Sequence, residues 1–440
     1  MQGILLALLY IALLIAIMRR MRFFNSVEAL KWQHIAGIFV LKVAAGTLLW
    51  AIYTVIYPDR LTADIFKFYD DSAVMFSALP GRPRDYLQML FGIQNDTPYF
   101  TEEYYRKMNN WFRQYESEVH NDAHTVIRFN ALVRLISFGE FHVHTVIAAF
   151  LSTTGMVAIY RTFVKKLPGR ERLLMIAIFL LPSVLFWASG VIKESLLFFG
   201  LGILIHQVFR SIEKRNNAAG LIALFFSVIL LFYLKIYVLL SLVPALLLWA
   251  WSRNGTSIAI AWKAVVIYGS GIVLALSIHH LIPGFDVIGL IALKQKDFIG
   301  LATSVDSGSF VQPPLITPDP LSLLINAPYA IYITLIGPLI HFTGTFGAIA
   351  ALENFLIISA FVFLLVYAKP WRSVDRPLVI SLIGYCVLLA LVIGWTTPVM
   401  GAIVRYRTPL LPFLLIIALL LFDHQRFIRQ WPSLKRFISA

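Results

Sequence analysis

The sequence predicts an all-α protein, a polytopic bundle of membrane-crossing helices with amphipathic helices on its extracytoplasmic face. Three observations predict it. Of 440 residues, 59% are apolar and 14% are charged, whereas soluble domains carry about 25% charged residues. The apolar residues form blocks, as at 4–18, 221–234, 355–368 and 410–422. With their flanks these approach the roughly 17–25 residues that cross a hydrocarbon core about 30 Å thick. A segment in hydrocarbon must satisfy its own backbone, and only helices and closed barrels do so; the alternating strands of about ten residues that build a barrel are absent from the sequence.

Taken in order, the blocks give about eleven crossings, at 3–18, 34–56, 142–163, 172–189, 193–210, 218–234, 237–251, 260–281, 346–368, 378–395 and 408–422. The pairs 172–189/193–210 and 218–234/237–251 are tight hairpins. Residues 1–440 form one membrane domain, with no internal repeat or low-complexity tract. The first block has no cationic residue before it and no small-residue cleavage site after it, so it is expected to be a retained span, not a secretory signal. The single cysteine, Cys386, lies mid-span, which leaves no intrachain disulfide.

Charge orients the chain. Basic residues gather in the turns after the odd-numbered spans: Arg19, Arg20, Arg22 and Lys31; Arg161, Lys165, Lys166, Arg170 and Arg172; Arg210, Lys214 and Arg215; Arg253 and Lys263; Lys369, Arg372 and Arg376. The tail adds Arg426, Arg429, Lys435 and Arg436. Short cytoplasmic loops are enriched in Lys and Arg, so this side is expected inside, with the N-terminus outside and the C-terminus inside. The net charge of +14 therefore reports topology. The cations are spread over loop ends and form no concentrated groove, which argues against a nucleic-acid partner.

Two long segments fall outside, 58–141 and 282–345, and an asymmetry of this kind puts the protein's work on that face. In the first, 61–79 and 84–93 have helical spacing. Tyr104, Met108, Trp111, Phe112 and Tyr115 share one helical face after Pro98 and a candidate N-cap, Thr101. These stripes suit helices lying on the membrane or packing against the bundle. In the second, 300–320 reads as a mobile loop, and 326–342, broken by Pro328, Gly337 and Pro338, as a re-entrant or interfacial segment.

Ionisable residues near hydrocarbon are costly and mark candidate sites. Asp59, Asp64 and the run Tyr69-Asp70-Asp71 follow the second span. A carboxylate there serves either as a general base or as a ligand for a divalent cation; the bland reading is the acidic face of a surface helix. Pro182-Ser183 and the run from Trp187 to Ser195, with Lys193 and Glu194, form a polar turn between two apolar helices. Either Lys193 neutralises a phosphate or the two charges cap the turn. Arg405-Tyr406-Arg407 stands at the outer mouth of the last span against the charge rule. A guanidinium there can grip a phosphate bidentately, or it snorkels to the interface. Lys42 and Glu353 lie inside spans, with a structural ion pair as the simplest reading. His120 and His124 have metal-ligand spacing, and His142, His144 and His279-His280 also occur. No His-Glu-x-x-His pattern, Walker loop or dinucleotide turn is present, so the sequence requires no cofactor and leaves a divalent metal open.

Four patches together resemble the GT-C superfamily of polytopic membrane glycosyltransferases and, more loosely, O-antigen-polymerase-type membrane proteins: Ala63-Asp64-Ile65 with Tyr69-Asp70; Pro182, Trp187, Gly190 and Lys193-Glu194; Ala327-Pro328, Gly337-Pro338 and Glu353-Asn354; and Arg405-Tyr406-Arg407-Thr408-Pro409-Leu410-Leu411-Pro412. The resemblance implies a sugar carried on a polyprenyl phosphate and a glycan or lipid acceptor on the extracytoplasmic face of a plasma membrane, expected to be a bacterial inner membrane. It implies Asp64 as base, assisted by Asp70 or Asp71, and a lipid phosphate held by Arg405, Arg407, Lys193 and Tyr406. A polymerase of lipid-linked oligosaccharide repeats and a transporter or flippase are the rival expectations.

Overall fold

The computed structural model describes residues 2–112, 120–253, 255, 258–282 and 285–434. In chain order its helices are α1 (Gln2–Arg20), α2 (Arg22–Asn25), α3 (Trp32–Val55), α4 (Asp64–Phe76), α5 (Pro83–Phe91), α6 (Pro98–Glu103), α7 (Ala123–Ser137), α8 (Phe141–Phe163), α9 (Glu171–Phe179), α10 (Pro182–Trp187) and α11 (Lys193–Ile212). There follow α12 (Ala218–Arg253), α13 (Ile260–Leu281), α14 (Val287–Ser304), α15 (Pro320–Leu335), α16 (Gly337–Ile340), α17 (Gly344–Val366), α18 (Arg376–Thr396), α19 (Met400–Tyr406), α20 (Leu411–Leu421) and α21 (His424–Gln430). The protein is 77% helical, and the described residues form no strand, only isolated bridges joining Phe310 to Val399 and Ala368 to Phe422.

Among the described residues, eight helices are long and apolar enough to cross a membrane: α1, α3, α8, α11, α12, α13, α17 and α18. The pair α19–α20, bent by 57°, makes a ninth when taken as one span. The expected crossing 172–189 and the expected pair 218–234/237–251 depart from simple helices, each for a local reason. The first is cut after Phe179 because Pro182 opens a new helix and has no N–H to continue the old one. The second pair runs together as α12, interrupted at Lys235, whose φ of −156° and ψ of 73° are non-helical. Gly220, near its start, abuts Gln207, and Trp249, near its end, stacks on Phe209 at 5.1 Å. A straight helix would hold Gly220 and Trp249 about 43 Å apart, so α12 folds back on itself at Lys235.

Helices α8 and α11 make the central crossing. Gly155 and Gly202 let their backbones touch, and a methyl group on either would collide with a carbonyl of the other helix; small residues at such crossings are how membrane helices approach closely. Around this pair the loops sort into two ends. At one end, Arg161 donates to Phe23 O at 2.7 Å, Arg170 to Leu419 O at 2.6 Å, and Arg253 pairs with Asp375 at 3.1 Å. At the other, Trp50 at the end of α3 meets His142 at the start of α8, beneath α4 and α7.

The segment between α3 and α8 is ordered chiefly by α4, α5 and α7, whose inward faces carry Phe68, Met75, Tyr86, Met89, Ile127 and Ala131. The stripe from Tyr104 is not an α-helical face: Tyr105–Lys107 is a single 3-10 turn and irregular backbone follows. Tyr104, Met108 and Trp111 are nevertheless buried, Phe112 is exposed, and Tyr115 lies outside the described residues. Thr101 is inside α6 and caps nothing; the helix starts at Pro98 after Thr97. In the second segment the expected loop begins later, because α14 runs to Ser304, and Gly337-Pro338 opens α16 just after α15 ends at Leu335. Lys435 and Arg436 lie outside the described residues.

Candidate functional site

Six elements, α3, α4, α8, α10, α11 and α19, converge where the α3–α8 end of the bundle meets α4. Asp64 is the first residue of α4, and Glu194 lies in the first turn of α11. A helix N-terminus stabilises an anion, and a C-terminus a cation. Arg405 sits in the last turn of α19 and meets both acids. Its Nη1 donates to Asp64 Oδ2 at 2.8 Å. Its Nε lies 2.9 Å from Glu194 Oε1, a charge contact without hydrogen-bond alignment. The Trp187 ring faces the guanidinium, 5.5 Å away. Below is an apolar floor of Leu49, Ala63, Ile65, Phe66 and Ile192, edged by Trp50, Tyr53, Phe141 and Phe186.

Lys193, beside Glu194, donates to Asp122 Oδ1 at 2.7 Å. Asp122 Oδ2 lies 3.9 Å from Nζ of Lys235, the residue at which α12 folds back. Lys235 Nζ in turn lies 4.4 Å from the centre of the Tyr406 ring. The site thus contains three carboxylates, Asp64, Asp122 and Glu194, and three cations, Lys193, Lys235 and Arg405. Such matching lets charges sit near hydrocarbon without leaving one uncompensated.

The expected site residues separate. Asp64, Lys193, Arg405 and Tyr406 come together. Asp70 does not join them: it is bound by Arg60 in a two-point pair of 2.7 and 2.6 Å on the surface. Asp71 is 2% exposed and accepts from the backbone N–H of Asn109 at 2.7 Å and of Asn110 at 2.8 Å, which ties the following chain to α4. Arg407 is fully buried. Its Nη1 donates to Asn354 Oδ1 at 2.7 Å and Thr334 O at 3.3 Å, so it joins α15 and α17 and does not line the mouth. Asp59 accepts from Leu61 N at 3.0 Å in a local turn.

Lys42 and Glu353 do not pair with each other. Lys42 is buried against Met156 Sδ at 3.7 Å; Glu353 accepts from the Ser183 N–H at 2.7 Å and from its hydroxyl. The histidines have other partners. His124 stacks on Trp111, and His144 lies between Asn130 Oδ1 at 2.7 Å and Ser137 Oγ at 2.9 Å. Among the described residues, no group of three or more His, Cys, Asp or Glu side chains is placed to hold a metal ion.

Two members of the site were missed from the sequence. Lys235 is the one charge within an apolar stretch running from 221 to 251, a signal for an intramembrane functional residue. Asp122 immediately precedes α7, a position where an acid ordinarily caps the helix; here it makes no side-chain cap and reaches the lysines instead.

Electrostatics distinguish the partly exposed Asp64 from the buried Asp71. Desolvation by the surrounding protein works against the charge on Asp64, but the Arg405 guanidinium and then Lys193 outweigh it and hold the carboxyl at about 2. Asp71 goes the other way: burial raises it above the usual carboxylate range in spite of its two N–H donors. Asp64 keeps 39% of its side chain exposed, which leaves it open to a ligand. Searches of family models, curated proteins and solved structures each return no match for this chain.

Proposed function

We propose that this protein is a membrane glycosyltransferase that takes a sugar from a polyprenyl-phosphate donor on the extracytoplasmic face. In this reading the chain crosses about eleven times, with α9–α10 as one broken crossing and α12 as two. The basic end lies inside, and the Asp64 end outside. The observation that carries the reading is the contact of a partly exposed carboxylate, Asp64, with Arg405 at 2.8 Å, beside Lys193. An acid and cations at one mouth supply both halves of the chemistry. The acceptor hydroxyl oxygen attacks the anomeric carbon, its proton passes to Asp64, and the bond from that carbon to the phosphate oxygen breaks with its electrons going to the phosphate. Charge grows on the phosphate as this happens, where Arg405 and Lys193 stabilise it. Tyr406 and Trp187 supply apolar walls.

Transfer of sugar in vesicles carrying the purified chain tests this. A polyprenyl-phosphate sugar is supplied, and glycosylated product is followed in wild type and Asp64→Asn. Product from wild type alone supports the reading. Folded wild-type protein that transfers no sugar from any such donor sinks it.

The bent pair α19–α20 favours a second reading, transport, since broken helices recur in transporters. Movement of an unaltered lipid-linked sugar across the vesicle would then replace transfer. Joining of whole oligosaccharide repeats that persists in Asp64→Asn would instead favour a polymerase.

A further inference from the structure

Arg405 stands between two carboxylates of very different access. The Glu194 side chain is 1% exposed, whereas that of Asp64 is 39% exposed and that of Arg405 itself 13%. An anion arriving from outside can therefore reach the Asp64 arm of the guanidinium and not the Glu194 arm. A phosphate oxygen makes the same charge-assisted contact with Arg as a carboxylate oxygen does. The two acids are also anchored differently. Glu194 lies in the first turn of the twenty-residue helix α11, within the bundle, while Asp64 begins the thirteen-residue α4 at its rim.

Building on the lipid-phosphate reading of the site, we infer that the donor's phosphate displaces Asp64 from Arg405, and that Glu194 is the positioning residue that keeps the guanidinium in place while the exchange occurs. Asp64 is released toward the acceptor only when a donor is bound. Until the phosphate arrives the base stays engaged, because a carboxylate locked to a guanidinium accepts a proton poorly. The charges agree with this sequence of events. Asp64 faces Arg405 from α19, Lys193 from α11, Lys67 on its own helix and Tyr53 from α3, and Tyr53 in turn faces Glu194. Removing the guanidinium contact and adding a phosphate negative charge both strengthen Asp64 as a base.

The sign of one mutation separates exchange from simple support. If Asp64 competes with the phosphate, Asp64→Asn removes the competitor and tightens polyprenyl-phosphate binding by about tenfold, the scale of one charge-assisted contact. If Asp64 merely holds Arg405 in place, the same change weakens binding. The experiment measures the affinity of the full chain in lipid nanodiscs for polyprenyl phosphate, using protein whose melting transition confirms folding. Glu194→Gln should weaken binding about tenfold, Glu194→Asp should recover part of that loss because it retains the charge, and Arg405→Ala should abolish binding.

Weaker or unchanged binding in Asp64→Asn overturns the exchange, as does absence of binding by both proteins. Equal affinities for Glu194→Gln and wild type overturn the positioning role. Transfer activity is scored separately. Tighter binding in Asp64→Asn alongside a wild type that transfers no sugar leaves the exchange standing and removes the transferase. Transfer by wild type with no tightening in Asp64→Asn does the reverse.

Discussion

Arg405 and Arg407 stand two residues apart and serve different parts of the molecule. Arg405 contacts Asp64 and Glu194 at the rim; Arg407 is enclosed between α15 and α17 and bound to Asn354. Substitution should separate them. Arg405→Ala should abolish polyprenyl-phosphate binding and also lower the melting temperature, because the Glu194 carboxylate, 1% exposed, then loses its cation. Arg407→Ala should destabilise by about 3 kcal/mol, because it leaves Asn354 and the Thr334 carbonyl short of a buried donor. Arg407→Met should cost less, since an apolar side chain of similar volume removes a charge that is expensive to bury. The folded fraction of Arg407→Met should bind the lipid phosphate as wild type does; loss of that binding would return Arg407 to the site.

Asp64 and Asp71 lie on the same helix, and their roles are opposite. Asp71→Ala orphans the N–H groups of Asn109 and Asn110 and should cost about 2–4 kcal/mol, seen as a lower melting temperature. Asp64→Ala should cost much less, because its side chain is partly exposed and its pair lies at the rim. A chain in which Asp71→Ala melts like wild type would contradict the anchoring contact.

The depressed carboxyl of Asp64 has a definite pH signature. Its folded value of about 2 lies below the unfolded value of about 3.9. The charged pair therefore contributes stability that is fully present above about pH 4 and is lost as pH falls through about 2. Melting temperatures of wild type and Asp64→Asn should differ by a constant amount from neutral pH down to about pH 5 and converge between about pH 4 and 2. A gap that closes near neutrality would mean that Arg405 is not holding Asp64 in solution.

What could be read from the sequence follows from what composition encodes. The crossing expected at 260–281 coincides with α13, and those at 34–56, 142–163 and 346–368 lie within two residues of α3, α8 and α17 at each end. An unbroken apolar block needs no distant partner to be helical in hydrocarbon. The turn of α12 at Lys235 was legible for the same reason, since a charge interrupts the block there. Partnerships were not. Asp64 and Arg405 are 341 residues apart, and nothing local to either names the other. Asp64, Asp70 and Asp71 look alike as a run, and only the packing of α4 sends one to the arginine, one to Arg60 and one to the backbone. The Tyr104 stripe misled because residues can be buried at helical intervals along chain that is not helical.

Asp122 holds the second half of the site together, and its two lysines should couple to it unequally. Lys193 approaches at 2.7 Å and Lys235 at 3.9 Å, with both lysine side chains nearly buried. Coulomb attraction grows as separation shrinks and as water is excluded, and only the shorter approach is also a hydrogen bond. A double-mutant cycle of Asp122→Asn with Lys193→Met should give a coupling of about 1–3 kcal/mol, and the cycle with Lys235→Met a smaller one of the same sign. Lys235 also leans on the Tyr406 ring, so Tyr406→Leu should lower stability in the presence of Lys235 and matter less after Lys235→Met, the cation–π contact accounting for about 0.5–2 kcal/mol. The measurement is chemical unfolding of the purified chain in one detergent. Equal coupling of the two lysines to Asp122 would mean that the carboxylate sits midway between them, and that Lys235 belongs to the charge cluster as fully as Lys193.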